Sequence, residues 1–262
     1  MSAAATWRAA RAEAVRTGGA RGLLARVVGP LGFALPLVVT LIVAAVFERL
    51  ATSGGLLEVQ QVQTANAVYW IIALGVTVTT VAAAFAQADV GRGPAGEVAR
   101  HALPGPGPDM LGRLLVFGAA AALSAVMAVF LALITLPVVF PGVYGEVYLG
   151  SAAGLRFLWA VPLYAFLAAA LGIGVGALIT RPAGAVTVVA LWSLLVEPAV
   201  VMLPRGGKLV GWMPFLNGTY GTGQDVALDP PWGPDGALAY FAAVAALVFA
   251  AGWLRRRRAE VR

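Results

Sequence analysis

The sequence predicts an all-α integral membrane protein with six transmembrane helices, and three observations lead to this fold class. Apolar residues make up 60% of the 262-residue chain. Charged residues make up 11% of it, against roughly 25% in an average soluble domain. Long apolar runs also follow one another, each near the roughly 20 residues that a helix needs to cross a bilayer. We therefore predict one membrane domain that uses residues 1–262.

The apolar runs themselves set the expected spans. They cover residues 27–47, 65–86, 111–139, 155–179, 183–203 and 237–254. An Arg-rich segment, residues 1–26, precedes the first run, and a basic tail, residues 255–262, follows the last. The first run is too long for the apolar core of a signal peptide, and no convincing small-residue cleavage site follows it. We interpret it as a retained span.

The positions of the basic residues predict the orientation. Of the 18 Lys and Arg residues, only Arg49, Arg156, Arg205 and Lys208 fall on one side of the expected bilayer. Basic residues are enriched in cytoplasmic loops, so the side that carries both termini is predicted to be cytoplasmic. No aromatic residues interleave a basic stripe, as they do in nucleic-acid-binding proteins. Membrane lipid, and not nucleic acid, is the expected partner of these charges.

The composition leaves few residues for catalysis. The chain has no Cys, its only histidine is His101 and its only lysine is Lys208. These counts exclude disulfides, thiolate metal sites and histidine clusters. The sequence also lacks the G-x-x-x-x-G-K-[ST] motif that cradles nucleotide phosphates. We therefore expect no catalytic, metal-binding or cofactor-binding residues, and any ATP hydrolysis would belong to another chain.

Two features inside the predicted spans stand out. Glu197 lies in the fifth span, where an ionisable group costs about 2.5 to 3.5 kcal/mol unless it is paired or hydrated. It either lines a substrate path or accepts a hydrogen bond from a neighbouring helix, and both interpretations stay open. In the fourth span, Gly172 and Gly176 form a GxxxG pair, which allows close contact between helices.

The predicted cytoplasmic loop, residues 87–110, contains a polar segment that is compatible with a short helix. Pro94 suits a first helical turn, and Glu97 and Arg100 are spaced to share one helix face. This segment either docks on a partner or is an ordinary solvated loop.

The chain resembles a permease subunit of the ABC-2 type, a family of bacterial ATP-driven exporters with six spans per subunit. The resemblance covers nearly the whole chain. It rests on the basic segment up to Arg26, on Asp89-Val-Gly-Arg92-Gly-Pro-Ala-Gly-Glu97 leading to Arg113, on the Gly-rich stretch from Leu171 to Pro182, and on Leu191-Trp192 to Val196-Glu197-Pro198. The family's commoner loop pattern has an acidic-aromatic-Arg start and a later Lys, where this chain has Val90 and Arg113.

The resemblance implies a transporter subunit and not an enzyme. The N-terminal segment would form an interfacial helix, and short re-entrant helices would lie between the fifth and sixth spans. A cytoplasmic coupling helix with Arg92, Glu97 and Arg100 would contact a separate ATP-binding subunit, which would hold the ATP and magnesium. A second permease chain would complete a homodimer or heterodimer in the cytoplasmic membrane. The cargo would be hydrophobic or amphipathic, such as a drug, an antibiotic or a lipid.

Two alternatives belong to other functional classes. An intramembrane enzyme needs paired acids or a serine with a base at membrane depth, and Ser124, Ser193 and Glu197 are its only candidates. A non-transporting scaffold or immunity protein would not need the polar cytoplasmic loop.

Overall fold

The computed structural model describes residues 3–53, 60–90, 106–203, 207–226 and 230–260. Six of its helices are long and apolar enough to cross a membrane. In chain order, the first to sixth spans are Leu24–Thr52, Thr64–Asp89, Gly107–Val139, Ala152–Leu178, Pro182–Val201 and Gly233–Ala259. The predicted number of spans is confirmed, and most of the predicted ends lie within a few residues of the observed ones. The fold is that of a helical multi-pass membrane protein.

Shorter helices connect or precede the spans. The N-terminal helix is Ala3–Gly18, and the face that it buries includes Ala5, Ala9 and Glu13. Three short helices, Pro141–Tyr144, Gly207–Val210 and Pro214–Gly221, follow the third and fifth spans. Each of these begins next to a turn-favouring Pro or Gly, which limits how far the preceding helix can continue.

The fourth span is the centre of the bundle. In its most apolar 18-residue stretch, 67% of the residues are buried, and the second span follows with 61%. The corresponding share is 22% for the first span and 17% for the fifth. The second and fourth spans therefore form the interior, while the first and fifth present most of their surface to the surroundings.

Glycines allow the central helix to contact its neighbours closely. A Cβ atom at Gly172 would overlap the carbonyl oxygen of Thr80 in the second span. A Cβ atom at Gly174 would lie 2.6 Å from the backbone of Val248 in the sixth span. In lipid, helices associate largely through such close packing, because burial of apolar side chains gains little over contact with lipid tails.

The outer spans expose large apolar side chains. Val38, Ile42 and Val46 are exposed on the first span, and Leu194 and Leu195 on the fifth. In water, a continuous apolar surface of this kind promotes aggregation. In a bilayer it matches the surrounding hydrocarbon, which agrees with the membrane class predicted from composition.

Three spans contain π-helical turns, which are wider than α-helical turns. These turns are Leu24–Ala34, Ile71–Val76 and Trp192–Val196. Pro30 lies inside the first of them, where its missing N–H interrupts the regular ladder. The other two turns contribute lining residues to one cavity.

Replacement of Gly172 by Leu is expected to lower the free energy of unfolding by about 1–3 kcal/mol, the usual cost of forcing extra atoms into a packed interior. The atom that blocks the new Cβ is a backbone carbonyl oxygen of Thr80, which cannot rotate away. Thermal unfolding of the purified protein in detergent measures the change. Gly29→Ala is the control, because only the Leu24 oxygen lies near its Cβ position, at 3.6 Å. Equal stability of the two variants would contradict the packing described above.

Candidate functional site

A partly open cavity of about 530 Å³ lies between the second and fifth spans. The π-helical turns Ile71–Val76 and Trp192–Val196 contribute to its two walls. The short helices Gly207–Val210 and Pro214–Gly221 contribute further lining residues. The lining residues with rings or polar groups include Tyr69, Trp70, Thr77, Tyr164, Ser193, Glu197, Thr219 and Asp225. The remaining lining is mostly apolar, as in most pockets for organic ligands.

Glu197 is a buried residue of the cavity lining and caps a neighbouring helix. Its carboxylate accepts hydrogen bonds from the backbone N–H groups of Phe215, at 3.0 Å, and Leu216, at 2.8 Å. The indole N–H of Trp192 donates a third bond, also at 2.8 Å. The two N–H groups are unpaired donors of the first turn of the helix Pro214–Gly221, and carboxylates are favourable at such helix starts. We call Pro214–Gly221 the capped helix.

The other end of the capped helix meets a cation. The guanidinium of Arg156 donates to the carbonyl oxygen of Gly221 at 2.8 Å and to the carboxylate of Asp235 at 2.6 Å. A positive charge at a helix C-terminus complements the helix dipole, as the carboxylate does at the N-terminus. Charged side chains of the fourth and fifth spans therefore hold both ends of this helix.

Buried side chains also fix the middle of the capped helix. The hydroxyl of Tyr164 donates to the carbonyl oxygen of Phe215 at 3.1 Å. Asn217 donates to the Gly211 and Met213 carbonyl oxygens at 2.9 Å and accepts from the indole N–H of Trp232 at 3.0 Å. The polar groups of Asn217 are thus satisfied inside the protein, as burial in a low-dielectric setting requires.

Asp225 stands at the mouth of the cavity. Its backbone N–H donates to the carbonyl oxygen of Ala65 at 3.0 Å, and the amide of Asn66 lies 3.4 Å from its carboxylate. The side chain of Gln224 also donates to Asn66, at 3.3 Å. These bonds tie the segment before the sixth span to the start of the second span.

A buried charge cluster lies at the other end of the second span. Its members are Glu13, Gln87, Asp109, Arg113 and Arg256. Arg113 is 1% exposed and binds Asp109 through both terminal nitrogens, at 3.0 and 3.2 Å. The same guanidinium lies 3.3 Å from the carboxylate of Glu13 and donates to the Gln87 side-chain oxygen. Arg256 donates to Asp109 at 2.8 Å.

The charge cluster joins four elements at one end of the bundle. Glu13 comes from the N-terminal helix, Gln87 from the end of the second span, Asp109 and Arg113 from the start of the third, and Arg256 from the sixth. Segments near both termini therefore meet at this end, which we call the terminal end. Gln87 and Asp109 flank the predicted coupling segment, whose residues Arg92, Glu97 and Arg100 lie outside the described residues.

The predicted site residues occupy different parts of the bundle. Glu197 lies at the cavity, whereas Gly172 and Gly176 contact the second span behind it, with Gly176 close to Ala84 and Gln87. The hydroxyl of Ser193 donates to the carbonyl oxygen of Val189 at 2.9 Å. Within the described ranges, no three acidic or histidine side chains come together as a metal site needs.

Several residues of these sites were missed by sequence analysis. The signal for Asp109 and Arg113 was present, since opposite charges four residues apart at a helix start form a pair. Glu13 has no such signal, because it lies 100 residues before Arg113. Asp225 has no such signal either, because its place at the cavity depends on a loop whose course no periodicity predicts.

Glu197→Leu is expected to destabilise the protein more than Glu197→Gln. Leu leaves the N–H donors of Trp192, Phe215 and Leu216 without this acceptor, and a donor that stays buried and unpaired costs about 1–3 kcal/mol. Gln keeps one oxygen that can accept from the helix start. Expression level and thermal unfolding of both variants in detergent measure the difference. Equal stability of the two variants would show that the capping bonds contribute little.

Arg113→Met is expected to lower the free energy of unfolding by about 3–5 kcal/mol, because it leaves Glu13 and Asp109 as buried charges with fewer partners. Arg16→Met serves as the control. Arg16 also pairs with Glu13 but its side chain is 39% exposed, and an exposed pair contributes about 0–1 kcal/mol. Thermal unfolding of both variants provides the comparison, and similar losses would contradict the assignment of Arg113 as the centre of the cluster.

No protein-family model matches the chain, and no curated protein is significantly similar to it.

Proposed function

We propose that the chain is the membrane-spanning permease subunit of an ABC-2 type exporter, inserted in a bacterial cytoplasmic membrane with both termini inside. One observation carries the proposal: the second span lines the cavity at one end and contributes Gln87 to the charge cluster at the other. A single helix thus links a candidate cargo site with the loop that would meet an ATP-binding subunit.

The cavity supports a hydrophobic or amphipathic cargo such as a drug, an antibiotic or a lipid. Its volume of about 530 Å³ falls within the roughly 300–1,000 Å³ of typical small-molecule sites. Aliphatic and aromatic side chains such as Leu74, Val201 and Trp70 contribute most of the surface. With both termini inside, the cavity lies toward the outer side of the membrane, where an exporter releases its cargo.

The charge cluster supports a mechanical connection to the proposed coupling helix. Residues Arg92, Glu97 and Arg100 belong to the loop between Gln87 and Asp109, so both attachment points of that loop are held by Arg113. A displacement of the loop would be transmitted to the second and third spans, because the buried Arg113 side chain is bonded to both attachment points. The N-terminal helix, proposed to lie at the membrane interface, shares this connection through Glu13.

ATP and magnesium would bind to the partner subunit, and this chain would supply the path. Nucleotide binding can shift the bundle between inward-facing and outward-facing states only if the partner contacts the two states with different affinity. A second permease chain, identical or homologous, would pair with this one to complete the path. The capped helix and Gly207–Val210 would be the short re-entrant helices on the outer side.

Affinity purification of the tagged chain from its native membranes tests the proposal. We expect an ATP-binding subunit to copurify in about equal amount and to hydrolyse ATP. Replacement of Arg92, Glu97 and Arg100 by Ala is expected to lower its recovery at least about tenfold, since a few central residues carry most of an interface's binding energy.

Replacement of Arg49 and Glu146, charged residues at the opposite end, is the matched control and should leave recovery unchanged. Recovery of a lone, inactive chain under mild conditions would contradict the permease proposal and favour a scaffold. Equal loss in the test and control variants would show that the predicted coupling segment is not the contact.

A further inference from the structure

The charges and rings around the cavity between the second and fifth spans point to one chemical class of ligand: we infer that the cavity takes an amphipathic cation, a single positive charge on an apolar aromatic or aliphatic body. The inference rests on the proposed function in one respect only, namely that the bound molecule is cargo.

The charged groups in the described cavity lining are acidic. Glu197 and Asp225 are the two ionisable acids of the lining, and none of the described lining residues is basic. Within the described residues, neither carboxylate forms an ion pair with Lys, Arg or His. The described lining of the cavity therefore offers acidic side chains without cationic partners, in contrast to the balanced charge cluster at the terminal end.

The described hydrogen-bond partners of Glu197 are all electrically neutral. All three of its partners are N–H donors, from Trp192, Phe215 and Leu216. Its two oxygens accept all three bonds, and none of the three partners is a cation. The donors are neutral dipoles, so none of them supplies a full opposite charge. A cation in the cavity would provide the missing opposite charge across a low-dielectric wall, where Coulomb attraction is stronger than in water.

Asp225 is an acid of the lining that a ligand can reach directly. Its side chain is exposed at the mouth, and its backbone is bonded to Ala65 at 3.0 Å. The position of its carboxylate is therefore tied to the start of the second span. Asp225 would attract a cation at the entrance, while Glu197 would act on it from the buried part of the lining.

Two aromatic side chains of the cavity lining offer ring faces to a cation. Tyr69 and Trp70 pack edge to face with ring centroids 5.2 Å apart, and both remain partly exposed at the cavity. The face of an aromatic ring attracts a cation, most strongly for Trp, and the same ring offers dispersion contact to an apolar body. Anions would meet two carboxylates and gain nothing from the ring faces. Neutral molecules would fill the apolar space but would make no ionic contact with the carboxyl groups.

The test compares two ions of the same shape and opposite charge. The purified full-length chain in phosphatidylcholine nanodiscs is dialysed to equilibrium, separately, against tetraphenylphosphonium and tetraphenylborate. Binding to empty nanodiscs of the same lipid is subtracted. We expect saturable, protein-dependent binding of tetraphenylphosphonium, with an affinity at least about tenfold above that of tetraphenylborate. Equal or tighter binding of tetraphenylborate would overturn the inference.

Variants locate the binding. Asp225→Asn is expected to weaken tetraphenylphosphonium binding about threefold to tenfold, the effect of one charge across partly solvated space. Glu146→Gln removes an exposed acid outside the cavity lining and should leave the affinity unchanged. Because Asp225 is exposed, we expect Asp225→Asn to fold like the unmodified protein, and thermal unfolding of the variant checks this. Unchanged affinity of folded Asp225→Asn, or an equal loss in Glu146→Gln, would refute the assignment of the cavity.

This binding measurement needs no partner subunit, so it can fail independently of the permease proposal. Absence of cation selectivity in a chain that still copurifies with an active ATPase would refute the inference alone. Selective cation binding by a chain that lacks any ATP-binding partner would instead uphold the cation site and refute its role in ATP-driven export.

Discussion

The contact between the fourth span and the second is the constraint on which both candidate sites depend. At Gly172 and Gly176 the two helices approach so closely that a Cβ atom would overlap the carbonyl oxygens of Thr80 and Ala84. The space left at Gly176 is also filled by the Cβ atom of Gln87, at 2.8 Å from the position a new Cβ would take. The same contact positions Gln87 to accept a hydrogen bond from Arg113 at one end of the second span. It also positions Thr77 in the cavity lining nearer the other end.

Two buried charges in this bundle are stabilised in different ways. Arg113 is surrounded by carboxylates of opposite sign, and a second cation, Arg256, completes the balance on Asp109. Glu197 is surrounded by N–H dipoles at the start of the capped helix. Glu48 repeats this solution at the start of Pro141–Tyr144, where it accepts from Gly142 and Val143 at 2.8 and 2.9 Å. Balanced pairs hold the terminal end together, whereas dipole-capped acids position short helices without neutralising the charge.

The fold was largely predictable from the sequence, because helix length in lipid is set by bilayer thickness and apolar runs mark it directly. Observed spans such as Leu24–Thr52 extend beyond the predicted residues 27–47, since helices continue into the interface, where composition is mixed. Glu197 was identified as exceptional from its cost in an apolar span. Its partners were not, because the N–H groups of Phe215 and Leu216 come from a short helix 18 and 19 residues further on, whose docking depends on tertiary packing.

The π-helical turns have a consequence for how sequence changes act on the cavity walls. A turn that holds one additional residue rotates everything beyond it by about 100°, since an α-helix advances 3.6 residues per turn. The lipid-facing stripe of the fifth span therefore changes phase at Trp192–Val196, and Glu197 directly after the turn is directed inward while Leu194 and Leu195 face outward. Closure of that turn to α-helical geometry with all of its residues kept would rotate the carboxylate away from the capped helix, whereas deletion of one residue from the turn would restore α-helical geometry and leave Glu197 in phase with the rest of the span.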